Sequence, residues 1–270
     1  MDYKIDGNDI ILKQNDFALD DTLDCGQAFR WTKVDNNTYT GSFFNTYLKI
    51  SEENKKDGTF RLYDTNEEDF LNIWYDYFDL GTDYGELKRQ FSEDETLSKA
   101  CCYAGGIRIL KQNSWEALSS FIISQNNNIP RIKGIINRLC EHYSCYPTAE
   151  QMSSETVESL SYLRSGFRAK YIVDAVEKIN SEVLNLDEIK SMPIDNAREA
   201  LKTIKGVGPK VAECVLLFGM YRIEAFPIDV WVKRVMQRWY PNGLPKCVKG
   251  YEGIAQQYLF HYIRNTNQDI

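Results

Sequence analysis

The chain has 270 residues, 43 % of them hydrophobic and 26 % charged, with a net charge of −7. That length suffices for one or two domains with a real core, and no apolar run approaches the ~18–20 residues that a membrane span needs. The charge is uneven, with 13 Lys/Arg against 22 Asp/Glu in residues 1–112 and 19 against 17 in residues 113–270, so the acidity neither supports nor excludes nucleic acid as the partner of the second segment.

Residues 27–63 have strand character. Phe29 and Trp31 alternate with Arg30 and Thr32, Leu48 and Ile50 with Tyr47 and Lys49, and Phe60 and Leu62 with Arg61 and Tyr63. Asn36-Asn37 and Asp57-Gly58 punctuate these runs as turns, which predicts a small antiparallel sheet. Helical spacing follows at Phe70, Ile73, Trp74 and Tyr77. It recurs at Ile132, Ile135, Ile136 and Leu139, at Ala197, Ala200, Leu201 and Ile204, and at Val232, Val235, Met236 and Trp239. Pro130 and Pro209 suit first helical turns, where a missing N–H costs nothing. The pattern predicts an α+β chain: an N-terminal antiparallel β-sheet domain with flanking helices over 1–112, then an all-α domain over 113–270. The final helices are free to pack back on the first domain.

The N-terminus, Met-Asp-Tyr-Lys-Ile-Asp, has no basic start and no apolar h-region. No signal peptide and a cytoplasmic place are therefore expected. Seven cysteines, Cys25, Cys101, Cys102, Cys140, Cys145, Cys214 and Cys247, form no C-x-x-C pair, and the two histidines are His142 and His261. This argues against a zinc site and for reduced thiols that fill core positions.

The segment that carries chemistry is Leu-Lys-Thr-Ile-Lys-Gly-Val-Gly-Pro-Lys-Val-Ala-Glu-Cys, residues 201–214. Gly206, Val207 and Gly208 join two helical patterns, and a tight turn of this kind needs positive φ and close backbone approach. The N–H groups that open the second helix have no intrahelical partner and suit a phosphate. A plain αα-corner also uses glycine, so the turn alone leaves both readings open. Lys210 falls in the first turn of that helix, as a candidate nucleophile or a solvated charge. Cys214 lies four residues on, on the same face, either beside a bound base or as a small core residue. Asp229, in Phe226-Pro-Ile-Asp-Val-Trp231, reads as an N-cap. The same carboxylate can also stabilise positive charge on a sugar, because the cap fixes its rotamer.

Together these segments resemble the helix-hairpin-helix-Gly-Pro-Asp superfamily of DNA glycosylases. Cys25-Gly-Gln-Ala-Phe-Arg-Trp31 and Phe121-Ile-Ile-Ser-Gln-Asn-Asn-Asn-Ile-Pro-Arg131 narrow the likeness to the eukaryotic-type 8-oxoguanine DNA glycosylase/AP lyases, in a bacterial version. The resemblance runs from about residue 10 to 265. It implies a TBP-like N-terminal sheet, a helical glycosylase domain and base flipping. Lys210 would attack C1′ and form a Schiff base, and Asp229 would stabilise the oxocarbenium-like transition state. Gly26 would accept a hydrogen bond from N7–H of 8-oxoguanine through its carbonyl. Guanine has a lone pair at N7 instead, and two facing acceptors cost roughly 1–3 kcal/mol.

The resemblance further implies that Cys214 and Phe260 sandwich the extruded base and that Gln256 reads its Watson–Crick edge. Asn126, Arg131 and Arg168 would hold the orphaned cytosine, and Phe167 would be the wedge in the duplex. Helix core is the bland reading of Phe260, and a cap before Pro130 that of Asn128. Trp231 departs from the likeness, which implies a phosphate-contacting histidine there. The implied partner is double-stranded DNA containing 8-oxoguanine, bound by a monomer associated with the nucleoid. No organic cofactor is implied. A monovalent cation at the hairpin, near Ile204 and Val207, is the one ion the likeness brings with it.

Three alternatives compete. An iron–sulfur relative needs four cysteines after the aspartate, and here Cys247 is the one cysteine beyond Asp229. A monofunctional alkylated-base glycosylase lacks a lysine nucleophile. A non-catalytic DNA-binding module would not need Lys210, Asp229 and a base pocket together.

Overall fold

In the computed structural model, which describes residues 2–266, alternating residues build a six-stranded antiparallel sheet. The strands are β1 (Asp2–Asp6), β2 (Asp9–Lys13), β3 (Trp31–Lys33), β4 (Thr38–Phe43), β5 (Thr46–Asn54) and β6 (Thr59–Tyr63), in spatial order β1-β2-β6-β5-β4-β3. Register places Ile10 opposite Leu62, Leu62 opposite Ile50 and Ile50 opposite Tyr39. All four are buried, so one row of side chains forms the core face of the sheet. Phe70, Trp74, Tyr77 and Phe78 pack into the same core, as the helical spacing over 70–77 requires, and Trp31 Nε1 donates to Tyr77 Oη at 2.7 Å.

Two features of this sheet depart from the sequence expectation. The hairpin β1–β2 extends the sheet before residue 27, through the turn Gly7-Asn8. Phe29 lies outside any strand, because residues 25–30 form an irregular loop held by buried hydrogen bonds described below.

The described residues group into two compact units, 2–111 with 228–266, and 112–227. The sequence expectation drew its boundary at 112/113 and left the final helices free to return. In the structure the chain after Pro227 packs with the first unit. Tyr240 Oη donates to Asp94 at 2.6 Å, and Tyr258 Oη donates to the Ile107 carbonyl at 3.2 Å. Amphipathic spacing shows that a helix such as Val230–Trp239 has a face to bury, with Val232 and Val235 upon it. It does not say which surface receives that face.

The second unit is helical. Ile132, Ile135, Ile136 and Leu139 are buried on the helix Ile129–Tyr143, and Ala197 and Leu201 on the helix Ile194–Lys202. Asn128 caps the former by accepting from the Arg131 N–H at 2.9 Å, with Pro130 in the first turn as expected. No helix among the described residues is long and apolar enough to cross a membrane.

Candidate active site

The hairpin joins the helix Ile194–Lys202 to the helix Pro209–Cys214, which continues as a π-helical turn over Val215–Gly219. Gly206 has φ +78°, and a Cβ there would stand 2.4 Å from ring carbons of Tyr171. Only glycine satisfies both constraints. The Val207 N–H closes the turn on the Ile204 carbonyl at 3.0 Å. Gly208 is the extended N-cap residue, and nothing lies within 4 Å of where its Cβ would be. Pro209 follows at N1, so the first turn offers the Lys210 and Val211 N–H groups to an outside acceptor.

Lys210 is half-buried, with Nζ 5.3 Å from the centroid of the Phe121 ring. Phe121 stacks on Phe218 at 5.4 Å with 20° between ring planes, which makes a rigid apolar floor under the amine. No carboxylate of this unit forms an ion pair with Lys210. Cys214 is buried one turn further along the same face. Between them, Glu213 accepts from the Phe226 N–H at 2.7 Å and from Arg198 Nε at 2.5 Å. That carboxylate ties the nucleophile's helix to the chain leading towards Pro227, a strut the sequence reading did not single out.

The loop 125–128 and the turn 165–168 belong to the same unit. Asn126 is exposed, with φ +46°, and Arg131 is exposed in the first turn after it. Phe167 is 46 % exposed, its ring edge on Tyr171 at 5.8 Å. Arg168, expected at the orphaned cytosine, is engaged within the protein in this structure. It is 2 % exposed and donates to the Gln125 carbonyl at 2.8 Å, the Asn126 carbonyl at 2.9 Å and the Ser165 carbonyl at 3.0 Å. Burial, with the nearby Arg131 charge second, pulls its pKa down. These hydrogen bonds hold the loop that presents Asn126. A guanidinium aimed at three carbonyls cannot be told from an exposed one by sequence, because those carbonyls belong to a distant segment.

The first unit holds the other expected groups. Asp229 caps the helix Val230–Trp239: Oδ1 accepts from the Trp231 N–H at 2.9 Å and the Val232 N–H at 2.8 Å. Its second carboxylate oxygen is uncommitted among the described residues. Gly26 has φ +88° between two fully buried residues, Cys25 and Gln27. Gln27 Nε2 donates to the carbonyls of Thr22 at 2.9 Å and Arg108 at 2.8 Å, and Gln27 Oε1 accepts from the Leu110 N–H at 2.9 Å. Gln257 Nε2 reaches the Cys25 carbonyl at 3.5 Å. These two amides hold the backbone around Gly26. The sequence signal for Gln257 was a pair of polar residues, Gln256-Gln257, inside an otherwise apolar stretch of the C-terminal helix Glu252–Thr266. Burial pushes the Cys25 thiol up to about 11, so it stays a neutral packing group.

Gln256 is 4 % exposed, and its Oε1 finds no hydrogen-bond partner among the described residues. A buried amide oxygen without a donor costs about 1–3 kcal/mol, so a native structure rarely keeps one without a use. One turn further, Phe260 is half-buried with the Arg264 guanidinium 5.7 Å from its ring centroid. Trp231 is overlain by Arg234 at 5.1 Å. From residue 228 to 250 the chain carries five basic residues, Lys233, Arg234, Arg238, Lys246 and Lys249, against the single acid Asp229. That basic stretch sits within the otherwise acidic first unit, where whole-segment charge counting would not find it.

Residues 9–118 match the family described as 8-oxoguanine DNA glycosylase, N-terminal domain, and residues 119–246 match the HhH-GPD superfamily base excision DNA repair protein family. The chain is similar to the solved structure of MBOgg1 in complex with a low affinity DNA ligand, with TM-score 0.91, 38 % identity, and 99 % of this chain and 100 % of that one covered. It is similar to the 8-oxoguanine glycosylase/lyase of Clostridium acetobutylicum in complex with double-stranded DNA containing cytosine opposite 8-oxoguanine. There the TM-score is 0.88 at 39 % identity, over 99 % of this chain and 100 % of that one. Among curated proteins, the N-glycosylase/DNA lyase of Saccharomyces cerevisiae is 32 % identical over 89 % of this chain and 72 % of its own length. With both halves matched in order and the likeness spanning nearly the whole chain, this protein belongs to the 8-oxoguanine DNA glycosylase family of the HhH-GPD superfamily.

Proposed function

We infer that the chain is a bifunctional DNA repair enzyme that excises 8-oxoguanine and then cleaves the strand at the resulting site. The observation that carries this reading is Lys210: an amine in the first turn of the hairpin's second helix, on an aromatic floor, without a carboxylate partner in its unit. A binding module has no use for such a group.

Lys210 Nζ attacks C1′ of the damaged nucleoside as the C1′–N9 bond breaks and the base departs. Loss of a proton and ring opening give the Schiff base. Removal of a C2′ proton then expels the 3′ phosphate by β-elimination. Asp229, its rotamer fixed by the cap, presents the remaining carboxylate oxygen to the positive charge that develops on the sugar. Cys214 and Phe260 flank the flipped base. Gln256 Oε1 accepts from its Watson–Crick edge, which supplies the donor it lacks among the described residues. The Gly26 carbonyl takes N7–H, the proton that distinguishes 8-oxoguanine from guanine. Phe167 fills the gap in the duplex, and Asn126, Arg131 and Arg168 meet the orphaned cytosine, with Arg168 also holding the loop that carries Asn126. The backbone of Gly206, Val207 and Gly208 grips a phosphate. The protein works as a monomer on chromosomal DNA in the cytoplasm, and an amine and a carboxylate suffice without an organic cofactor.

The test is borohydride trapping on duplexes with 8-oxoguanine opposite each of the four bases, scored separately for base release and for nicking. The wild type should be captured covalently, most on the cytosine duplex. Lys210→Gln should abolish release and trapping while DNA binding persists. Near-native excision by that variant would remove Lys210 from the mechanism. Release without trapping in the wild type would indicate a monofunctional enzyme.

A further inference from the structure

The C-terminal helix Glu252–Thr266 begins with an acid whose setting is at odds with a surface role. Glu252 is half-buried, and its Oε2 is shut off from solvent without a hydrogen-bond partner among the described residues. An acid in a first turn gains from the helix dipole. That gain is open to an exposed carboxylate, so it does not account for an oxygen that meets neither water nor a donor. An orphaned carboxylate oxygen costs more than an orphaned amide oxygen. Four residues on, Gln256 Oε1 is in the same condition. Four residues further stands the half-buried ring of Phe260. Positions i and i+4 are neighbours on a helix, about 5–6 Å apart at Cβ. Residues 252, 256 and 260 therefore form one stripe: two acceptors without donors, then an aromatic ring.

We propose that Glu252 is a second base-reading residue, whose carboxylate accepts from the 2-amino group of the extruded 8-oxoguanine while Gln256 accepts from N1–H. The Watson–Crick edge of that base carries two adjacent donors, N1–H and N2–H, and the stripe holds two adjacent acceptors that lack them. The bond to the carboxylate is charge-assisted and so the stronger of the two. The same pair selects against other edges. An adenine-type base presents a lone pair at N1 and only C–H at position 2, so in the same pose it meets neither acceptor and repels both. Binding of the right base turns two costs of the free protein into two hydrogen bonds of the complex, which places recognition at the base itself rather than along the DNA backbone. The inference rests on reading Gln256 as the group at the Watson–Crick edge and supplies the second half of that edge.

The test removes the 2-amino group from the substrate as well as the carboxylate from the protein. Single-turnover excision is measured on duplexes carrying 8-oxoguanine or 8-oxohypoxanthine opposite cytosine. The second base keeps N1–H and N7–H and lacks only the 2-amino group. Its weaker pairing with cytosine is common to every protein variant, so it cancels when the ratio of the two excision rates is compared between variants. That ratio should be about tenfold smaller in Glu252→Ala than in the wild type. In Glu252→Gln, which keeps an acceptor without the charge, it should be about threefold smaller. A general loss of stability or DNA affinity slows both bases alike and leaves the ratio where it was. A folded Glu252→Ala whose ratio stays within about twofold of the wild type overturns the proposal. If that variant does not fold, an unchanged ratio in Glu252→Gln overturns it instead. A wild type that excises neither base refutes the glycosylase reading and this proposal with it, whereas excision of both at a ratio indifferent to residue 252 refutes this proposal alone.

Discussion

Replacing Gln256 by methionine should make the protein more stable and a worse enzyme. Gln256 is 4 % exposed on the C-terminal helix, and its Oε1 has no donor among the described residues. In the unfolded chain water satisfies that oxygen, so folding carries an uncompensated cost of about 1–3 kcal/mol. Methionine has a similar length and flexibility and fills the same space without an amide. Recovering the cost should raise Tm by roughly 2–4 °C per kcal/mol in a protein of this size, so by about 2–12 °C. With substrate bound the balance reverses, because the flipped base brings the donor that Oε1 lacks. Losing one such hydrogen bond, about 1–1.5 kcal/mol, should lower kcat/KM for 8-oxoguanine excision about tenfold. Differential scanning calorimetry and single-turnover excision on one duplex measure both halves. A Tm that falls, together with unchanged excision, would refute the argument: the amide would then be an ordinary satisfied core group with no part in reading the base.

Two further outcomes follow from the hairpin and its neighbours. Gly206→Ala should destabilise the protein by about 1–2 kcal/mol for an L-residue at positive φ, with about 1–3 kcal/mol more from the Cβ driven into Tyr171. The double variant with Tyr171→Ala should recover the second part, and strict additivity of the two Tm changes would show that the two groups do not touch. Asp174 supplies a pH test. Burial raises its pKa, but the hydrogen bonds from Lys178 and Lys205 outweigh that and hold it below the ordinary carboxylate range. A depressed acid stabilises the fold above its unfolded pKa of about 3.9 and loses that contribution as pH falls through the folded value. The Tm gap between wild type and Asp174→Asn should therefore be full at neutral pH and close below about pH 4. A gap that stays constant to low pH would mean that Asp174 carries no net pairing.

What the sequence determined by itself is what depends on three or four neighbouring residues. Gly206, Gly208 and Pro209 specify a tight turn into a helix wherever they stand, because positive φ and a missing N–H are properties of the residues themselves. The capping tasks of Asp229 and Asn128 were legible for the same reason: a cap is satisfied within its own first turn. Lys210 and Cys214 share a face by helical spacing alone. Tertiary structure alone decided every partner that lies far along the chain. Strand β2 finds β6 some fifty residues on. Gln27 holds the Gly26 loop against Arg108 and Leu110, and Arg168 spends its guanidinium on residues 125 and 126. Lys178 meets the carbonyl of Thr203 rather than solvent. In each of these cases the side chain's chemistry is fixed but its acceptor is a backbone carbonyl or a core face, which every segment possesses alike. Only the folded path of the chain selects which one it meets.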